Sequence, residues 1–348
     1  MVPNTTIIRS TGSIVENWSA TTSEYPIACS WTHDGHGLIA ADAAGEITSY
    51  DALSGAPIWT VPGSHDSGLL ALSIHPKKAR LASSGQDGCV SIWNGSDGTE
   101  ISAFDLSEQW AEHISWSPKG RLLAASAGRD LFLIEPSSKT VHSLGTQPST
   151  IAALAWCNDK ELAVAHYGGI SLFSAKSVKM TRRFEWKGSL VSMELCPRGE
   201  IIACGSQDNS VHFWRKSTGA DAQMSGYPGK PTNLAFDSRG LLLATGGREV
   251  VTIWNFADGG PEGTRPTELD MHSLPITCLS FSPTQPLLAS GARDGSVMVW
   301  SVDESGEGIP RAGILLAERI ESIAWSPNGN MLSATSGAGQ ITTWQLET

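Results

Sequence analysis

His65, Ser83, Asp87 and Trp93 recur in the chain as His272, Ser290, Asp294 and Trp300, in the same order and at the same spacing. The segments that carry them, "LASSGQDGCVSIW" and "LASGARDGSVMVW", are near copies. Serine, histidine and aspartate are the groups of a nucleophilic hydrolase: the imidazole takes the serine proton and the carboxylate orients the imidazole. Two features weigh against that chemistry. No Gly-x-Ser-x-Gly elbow lifts either serine out of a strand-to-helix turn. A triad would also leave the tryptophan without a part. Duplication of the whole set points instead to a repeated structural unit.

Other reactive groups are sparse. "HDGH" sets His33 and His36 beside Asp34, but Asp-Gly is ordinary turn chemistry, and no metal is expected there or elsewhere. "GYPGKPT" at 226–232 lacks the glycine spacing of a phosphate-binding loop, and its Gly-Lys is followed by proline. No cofactor is expected. The six cysteines, Cys29, Cys89, Cys157, Cys196, Cys204 and Cys278, form no CxxC pair and read as reduced structural thiols.

The elements that position these residues are short strands. Alternating apolar segments end in a large anchor residue at Trp31, Ile74, Trp116, Trp156, Leu195, Phe236, Phe281 and Trp325. Later strands of the same units end at Tyr50, Trp93, Ile134, Phe173, Trp214, Trp254, Trp300 and Trp344. Both series step by about 40 to 45 residues, the period of four-stranded propeller blades. Eight anchors in each series mean eight repeats.

"HISWSPKGRLLAASA", "LSFSPTQPLLASGARDGSVMVW" and "SIAWSPNGNMLSAT" resemble the core signature of the WD-repeat (WD40) β-propellers. The resemblance covers roughly residues 13 to 348 and implies an all-β fold. The expectation is one domain over 1–348, an eight-bladed propeller, although seven blades are commoner in that family. The expected blades are 24–62, 67–106, 110–146, 150–186, 189–227, 231–271, 275–317 and 319–346. The resemblance further implies that His65, Ser83, Asp87 and Trp93 form one buried hydrogen-bonded chain, and His272, Ser290, Asp294 and Trp300 another. The turn aspartate is replaced by Ala44, Tyr167, Arg248 and Ala338 in four repeats, and Gly128 takes its place in a fifth.

Seven of the later strands are followed by an outer strand such as "APIWTVPG" or "GILLAERI", whereas only four residues follow Trp344. The eighth outer strand is therefore expected from residues 13–20, "SIVENWSA", closing the last blade and protecting its edge.

Two sets of residues are candidates for binding. The family usually binds proteins or peptides on the face built by loops that lead into each first strand and join the second strand to the third. Tyr25, Gln86, Trp110, His166, Gln207, Lys230, Arg293 and Arg319 fall on those loops, and aromatic and arginine side chains are the types that dominate interface energetics. The second set faces the expected central channel by two-residue alternation: His113, Ser192, Glu194 and Asn233, among mostly small neighbours.

A net charge of −11 and a pI near 5.3 disfavour nucleic-acid binding. No apolar run reaches the length of a membrane span, and no secretion signal opens the chain, so a cytoplasmic monomer is expected. The expected function is a non-catalytic scaffold for protein or peptide partners. The alternative is an enzyme or small-molecule binder working through the channel near Glu194 and His113.

Overall fold

A computed structural model describes residues 6–10 and 14–346, and every element among them is strand or turn. Ser13, the first residue of the expected outer strand, lies outside the described residues. The strands form eight antiparallel sheets, seven of four strands and one of five. In chain order these blades span 26–61, 69–105, 113–146, 151–185, 190–224, 233–269, 276–315 and 320–346, the last joined by Ile14–Thr21. The chain divides into two compact units. One is Thr22–Leu190, with blades 1 to 4; the other combines the residues up to Thr21 with those from Val191 on, and holds blades 5 to 8.

Burial explains the strand sequences. In blade 2 the second strand, Arg80–Gly85, and the third, Cys89–Asn94, are buried along nearly their whole length. Strands covered on both faces read as continuous small and apolar runs rather than as alternation, hence the recurring "LA-small-small". Fourth strands are wet: in Lys179–Glu185 only Phe184 is buried. The Asp-Gly turns need glycine for a definite reason. Gly88 has φ +72°, and a Cβ there would meet the Ser107 carbonyl oxygen at 1.7 Å. At Gly295, with φ +82°, a Cβ would meet the Leu316 carbonyl oxygen at 2.4 Å.

The anchor tryptophans join neighbouring blades. Trp116 Nε1 donates to the Ser73 carbonyl (3.2 Å), Trp156 Nε1 to that of Ser115 (2.9 Å) and Trp325 Nε1 to that of Ser280 (2.9 Å). Each indole thus ties one first strand to the first strand of the blade before it. The repeat period is the sequence trace of this contact.

The last blade takes its fourth strand from Ile14–Thr21, which runs antiparallel to Gln340–Leu346 with Glu16 opposite Trp344. Ile14 and Trp18 are buried, and Ile14 packs in a cluster with Trp325, Leu332 and Trp344. A further strand, Thr6–Ser10, pairs with the outer strand Gly308–Leu315 of blade 7 and makes it five-stranded. No residue pattern announces it. The outer strand of blade 7 is also placed earlier than "GILLAERI", because Ile320 at the end of that segment already opens the next first strand.

Candidate functional site

The first duplicated set forms a continuous chain. Trp93 Nε1 donates to Ser83 Oγ (2.8 Å), which lies 2.7 Å from His65 Nε2. A carboxylate can only accept, so Asp87 draws the imidazole proton to Nδ1 and leaves Nε2 to accept from the Ser83 hydroxyl. The imidazole proton then sits on Nδ1, 3.1 Å from both carboxylate oxygens of Asp87. Asp87 also accepts the backbone N–H groups of Asp66 and Cys89. Ser83 is wholly buried, so its oxygen has no path to a substrate.

The second set is built with one more member. Trp300 Nε1 donates to Ser290 Oγ (2.9 Å), and Ser290 lies 2.7 Å from His272 Nε2. His272 Nδ1 meets Ser296 Oγ at 2.5 Å rather than the carboxylate, and Ser296 passes its own proton to Asp294. Burial pushes the His272 imidazole down to about 4, against the pull of Asp294. Burial would raise Asp294, but hydrogen bonds from Ser296 and Ser273 outweigh it and hold the carboxyl at about 2. The serine that intervenes occupies the position of Cys89 in blade 2.

Two further blades solve the same problem with other residues. In blade 6 Tyr227 takes the histidine's place: Trp254 Nε1 donates to its hydroxyl (2.7 Å), which pairs with Thr245 (2.8 Å). In blade 4 His166 Nε2 pairs with Ser171 (2.9 Å) and Nδ1 with the Tyr167 carbonyl (2.8 Å). His166 is therefore buried, and the expectation that it stands on the loop face is corrected.

The other expected face residues lie on the loops as read. In the first unit Tyr25 and Trp110 are exposed and Gln86 is half-buried. In the second, Gln207, Lys230, Arg293 and Arg319 are exposed, but Arg319 is tied to the Glu321 carboxylate at 2.5 Å. The loops are knit in pairs: Ala43 N–H donates to the Tyr25 carbonyl and Gly128 N–H to that of Trp110. Sequence reasoning missed Tyr167, 60% exposed on the turn beside His166. Its signal was available, since a tyrosine stands there in place of the turn aspartate. Among the described residues the exposed aromatic side chains are Tyr25, Trp110 and Tyr167, all on this end of blades 1, 3 and 4.

The inward set laces first strands together. His113 Nε2 lies 3.1 Å from the Ile151 carbonyl, Ser192 Oγ donates to that of Pro231 (3.0 Å), and Asn233 Nδ2 to that of Ile276 (3.1 Å). Each partner lies in, or two residues before, the first strand of the next blade. Glu194 is half-buried and accepts the Phe236 N–H; desolvation raises its carboxyl to about 7. Glu194 and His113 belong to different units. In "HDGH" the Asp34 carboxylate accepts the Thr32 hydroxyl and the His36 N–H, as a turn aspartate does. No group of three or more metal-ligating side chains occurs among the described residues.

Eight antiparallel blades, seven of four strands and one of five, with indole-to-carbonyl bonds between neighbours and His-Ser-Trp chains within blades 2 and 7, define an eight-bladed β-propeller. A family model described as "WD domain, G-beta repeat" matches residues 55–94, 179–215 and 263–301. Each match begins near an outer strand and ends on the third strand of the next sheet, so two of them contain the duplicated chains. Those three segments match WD40 repeats, and the chain is similar along most of its length to proteins that carry them. It is 27% identical over 284 residues to actin-interacting protein 1 of Caenorhabditis elegans, covering 78% of this chain and 45% of that protein. It is 22% identical to echinoderm microtubule-associated protein-like 2 of Rattus norvegicus, covering 92% and 44%. It is 25% identical to the transcriptional corepressor LEUNIG_HOMOLOG of Arabidopsis thaliana, covering 79% and 35%. The chain thus spans less than half the length of these relatives. Among solved structures, the computationally designed Ika8 protein shares the fold, with a TM-score of 0.82 at 18% identity over 95% of this chain and 99% of that one.

Proposed function

We propose that this propeller is a non-catalytic scaffold that holds a protein or peptide partner on the loop end of blades 1 to 4. The observation that carries the reading is the confinement of exposed aromatic side chains to that end, at Tyr25, Trp110 and Tyr167. Exposed rings on a rigid scaffold bury large area at low entropic cost and are the usual anchors of an interface. Gln86 extends the same surface; in the other unit Gln207, Lys230 and Arg293 are exposed on the corresponding loops. The relatives support the class of ligand: one bears the name of an actin-interacting protein and another of a microtubule-associated one. The buried Ser83 and Ser290 leave the two Ser-His chains to structure. Pulldown with the wild type and with Tyr25→Ala/Trp110→Ala/Tyr167→Ala tests the reading. Specific partners identified by mass spectrometry should be lost from the folded variant; their full retention would refute it.

A second reading, a small-molecule or catalytic role for the first strands, rests on Glu194, whose carboxyl near 7 is poised for proton transfer at neutral pH.

A further inference from the structure

At the turn end of the blades, away from the aromatic loops, blades 1 and 2 enclose a cleft of about 160 Å³. The turn Thr32–Gly37 brings His33 and His36 to its wall, the turn before Leu81 brings Lys78 and Arg80, and Ser96 and the exposed Ile58 complete it. Four basic side chains and one carboxylate, that of Asp34, thus line one small space in a chain whose net charge is −11. Lys78 and Arg80 form no ion pair among the described residues. His33 Nδ1 is shut off from solvent and has no hydrogen-bond partner. The carboxylate of Asp34 acts on both histidines and that of Asp51 on His36, but each is engaged by its own turn, with the Thr32 hydroxyl and His36 N–H on one and Ser54 on the other. Neighbouring His75 is held below its ordinary value first by burial and then by Lys78, Arg80 and His33.

We propose that this cleft is a binding site for a phosphomonoester, presented either as free phosphate or on a phosphorylated side chain. Size and charge select the ligand. A cavity of about 150 Å³ accommodates a benzene ring, so a phosphoryl group with its ester carbon fits where a nucleotide does not. Arginine matches phosphate oxygens with a planar fork, lysine adds a point charge, and imidazole N–H groups supply further donors. The exposed Ile58 at the rim gives a carbon chain attached to the phosphate an apolar contact.

Calorimetric titration separates the sources, with inorganic phosphate in one arm and a phosphoserine peptide beside its unphosphorylated form in the other. The wild type should bind at least one phosphorylated probe saturably, and Lys78→Gln/Arg80→Gln should weaken that binding at least about tenfold, roughly 1.4 kcal/mol. Lys176→Gln/Lys179→Gln removes the same charge from the outer edge of blade 4 and should change it less than about twofold. Where Arg80→Gln disturbs the melting temperature, the exposed Lys78→Gln alone is read, with about threefold weakening expected. Absence of saturable binding by the wild type to either probe, or equal weakening by both double variants, overturns the site.

Discussion

His65 Nδ1 lies 3.1 Å from both carboxylate oxygens of Asp87, whereas His272 reaches its turn aspartate only through the hydroxyl of Ser296. One position decides the difference: two residues after the aspartate stands Cys89 in blade 2 and Ser296 in blade 7. Asp87→Ala should leave the His65 N–H unpaired in a buried site and cost about 1–3 kcal/mol. Ser296→Ala should cost a similar amount, because His272 then loses its only Nδ1 acceptor. Cys89→Ala, at the matching position, should cost about 1 kcal/mol or less, since His65 bonds the carboxylate directly. Chemical denaturation of the three variants checks the ordering, and equal losses for Ser296→Ala and Cys89→Ala would refute the relay.

Acid should weaken blade 7 in two stages. The folded imidazole of His272 titrates at about 4 against an ordinary 6.5, so between those values the unfolded chain binds a proton that the folded chain does not. Stability therefore falls as pH drops from about 6.5 to 4, by at most about 3 kcal/mol from this group. Asp294, depressed to about 2, contributes stability above pH 4 that is lost as pH falls towards 2. The slope of unfolding free energy against pH between 4 and 6.5 should be shallower in His272→Gln by up to one proton. An unchanged slope would show that His272 is not the group held neutral.

Much of the blade plan was legible because the period is the spacing of real contacts. Trp116, Trp156 and Trp325 must each reach a carbonyl one blade back, which fixes their residue type and interval. The duplicated His-Ser-Trp sets were legible for the same reason. What escaped the sequence depends on neighbours in space. Nothing in its residues marks Thr6–Ser10 as a partner of Gly308–Leu315, because strand addition uses backbone groups that every residue owns. Tyr227 stands 18 residues before Thr245, the same interval that separates each histidine from its serine, but a tyrosine hid the equivalence with which its hydroxyl serves Trp254. His166 looked like a rim residue until Ser171, five residues on, offered a buried partner. The loop positions of Tyr25 and Trp110 could be counted from the anchors, but their exposure could not.

The fourth strand of blade 8 makes a graded test of how the N-terminal segment contributes. Trp18 is buried against the blade while Val15, three residues earlier, is about half exposed. Trp18→Ala should cost about 3–5 kcal/mol, and Val15→Ala no more than about 0.5 kcal/mol. Removing residues up to Thr21 should lower the melting temperature further and promote association, since it exposes the paired edge of Gln340–Leu346. A truncated chain that melts at the wild-type temperature would show that this strand is dispensable.

The two readings of function part at Glu194 and Trp110. Trp110 is 53% exposed on a loop whose backbone is held by Gly128, so Trp110→Ala should cost the fold little. If the loops capture a partner, Trp110→Ala and Tyr167→Ala should each weaken capture by about 2 kcal/mol, or some thirtyfold, as buried aromatic anchors do. Arg293→Ala reports the contribution of the second unit's loops more cleanly than Arg319→Ala, which would also release Glu321. Glu194→Gln keeps the shape of the carboxyl while removing its charge and its titration near 7, and should leave capture unchanged. Native-lysate pulldown followed by quantitative mass spectrometry compares these variants, each first matched to the wild type by circular dichroism and thermal melting. Loss of capture in Trp110→Ala and Tyr167→Ala alone supports the loop face. Loss confined to Glu194→Gln would sink the scaffold reading and transfer the work to the first strands. Capture retained by every variant would show that neither the aromatic loops nor Glu194 is the working surface.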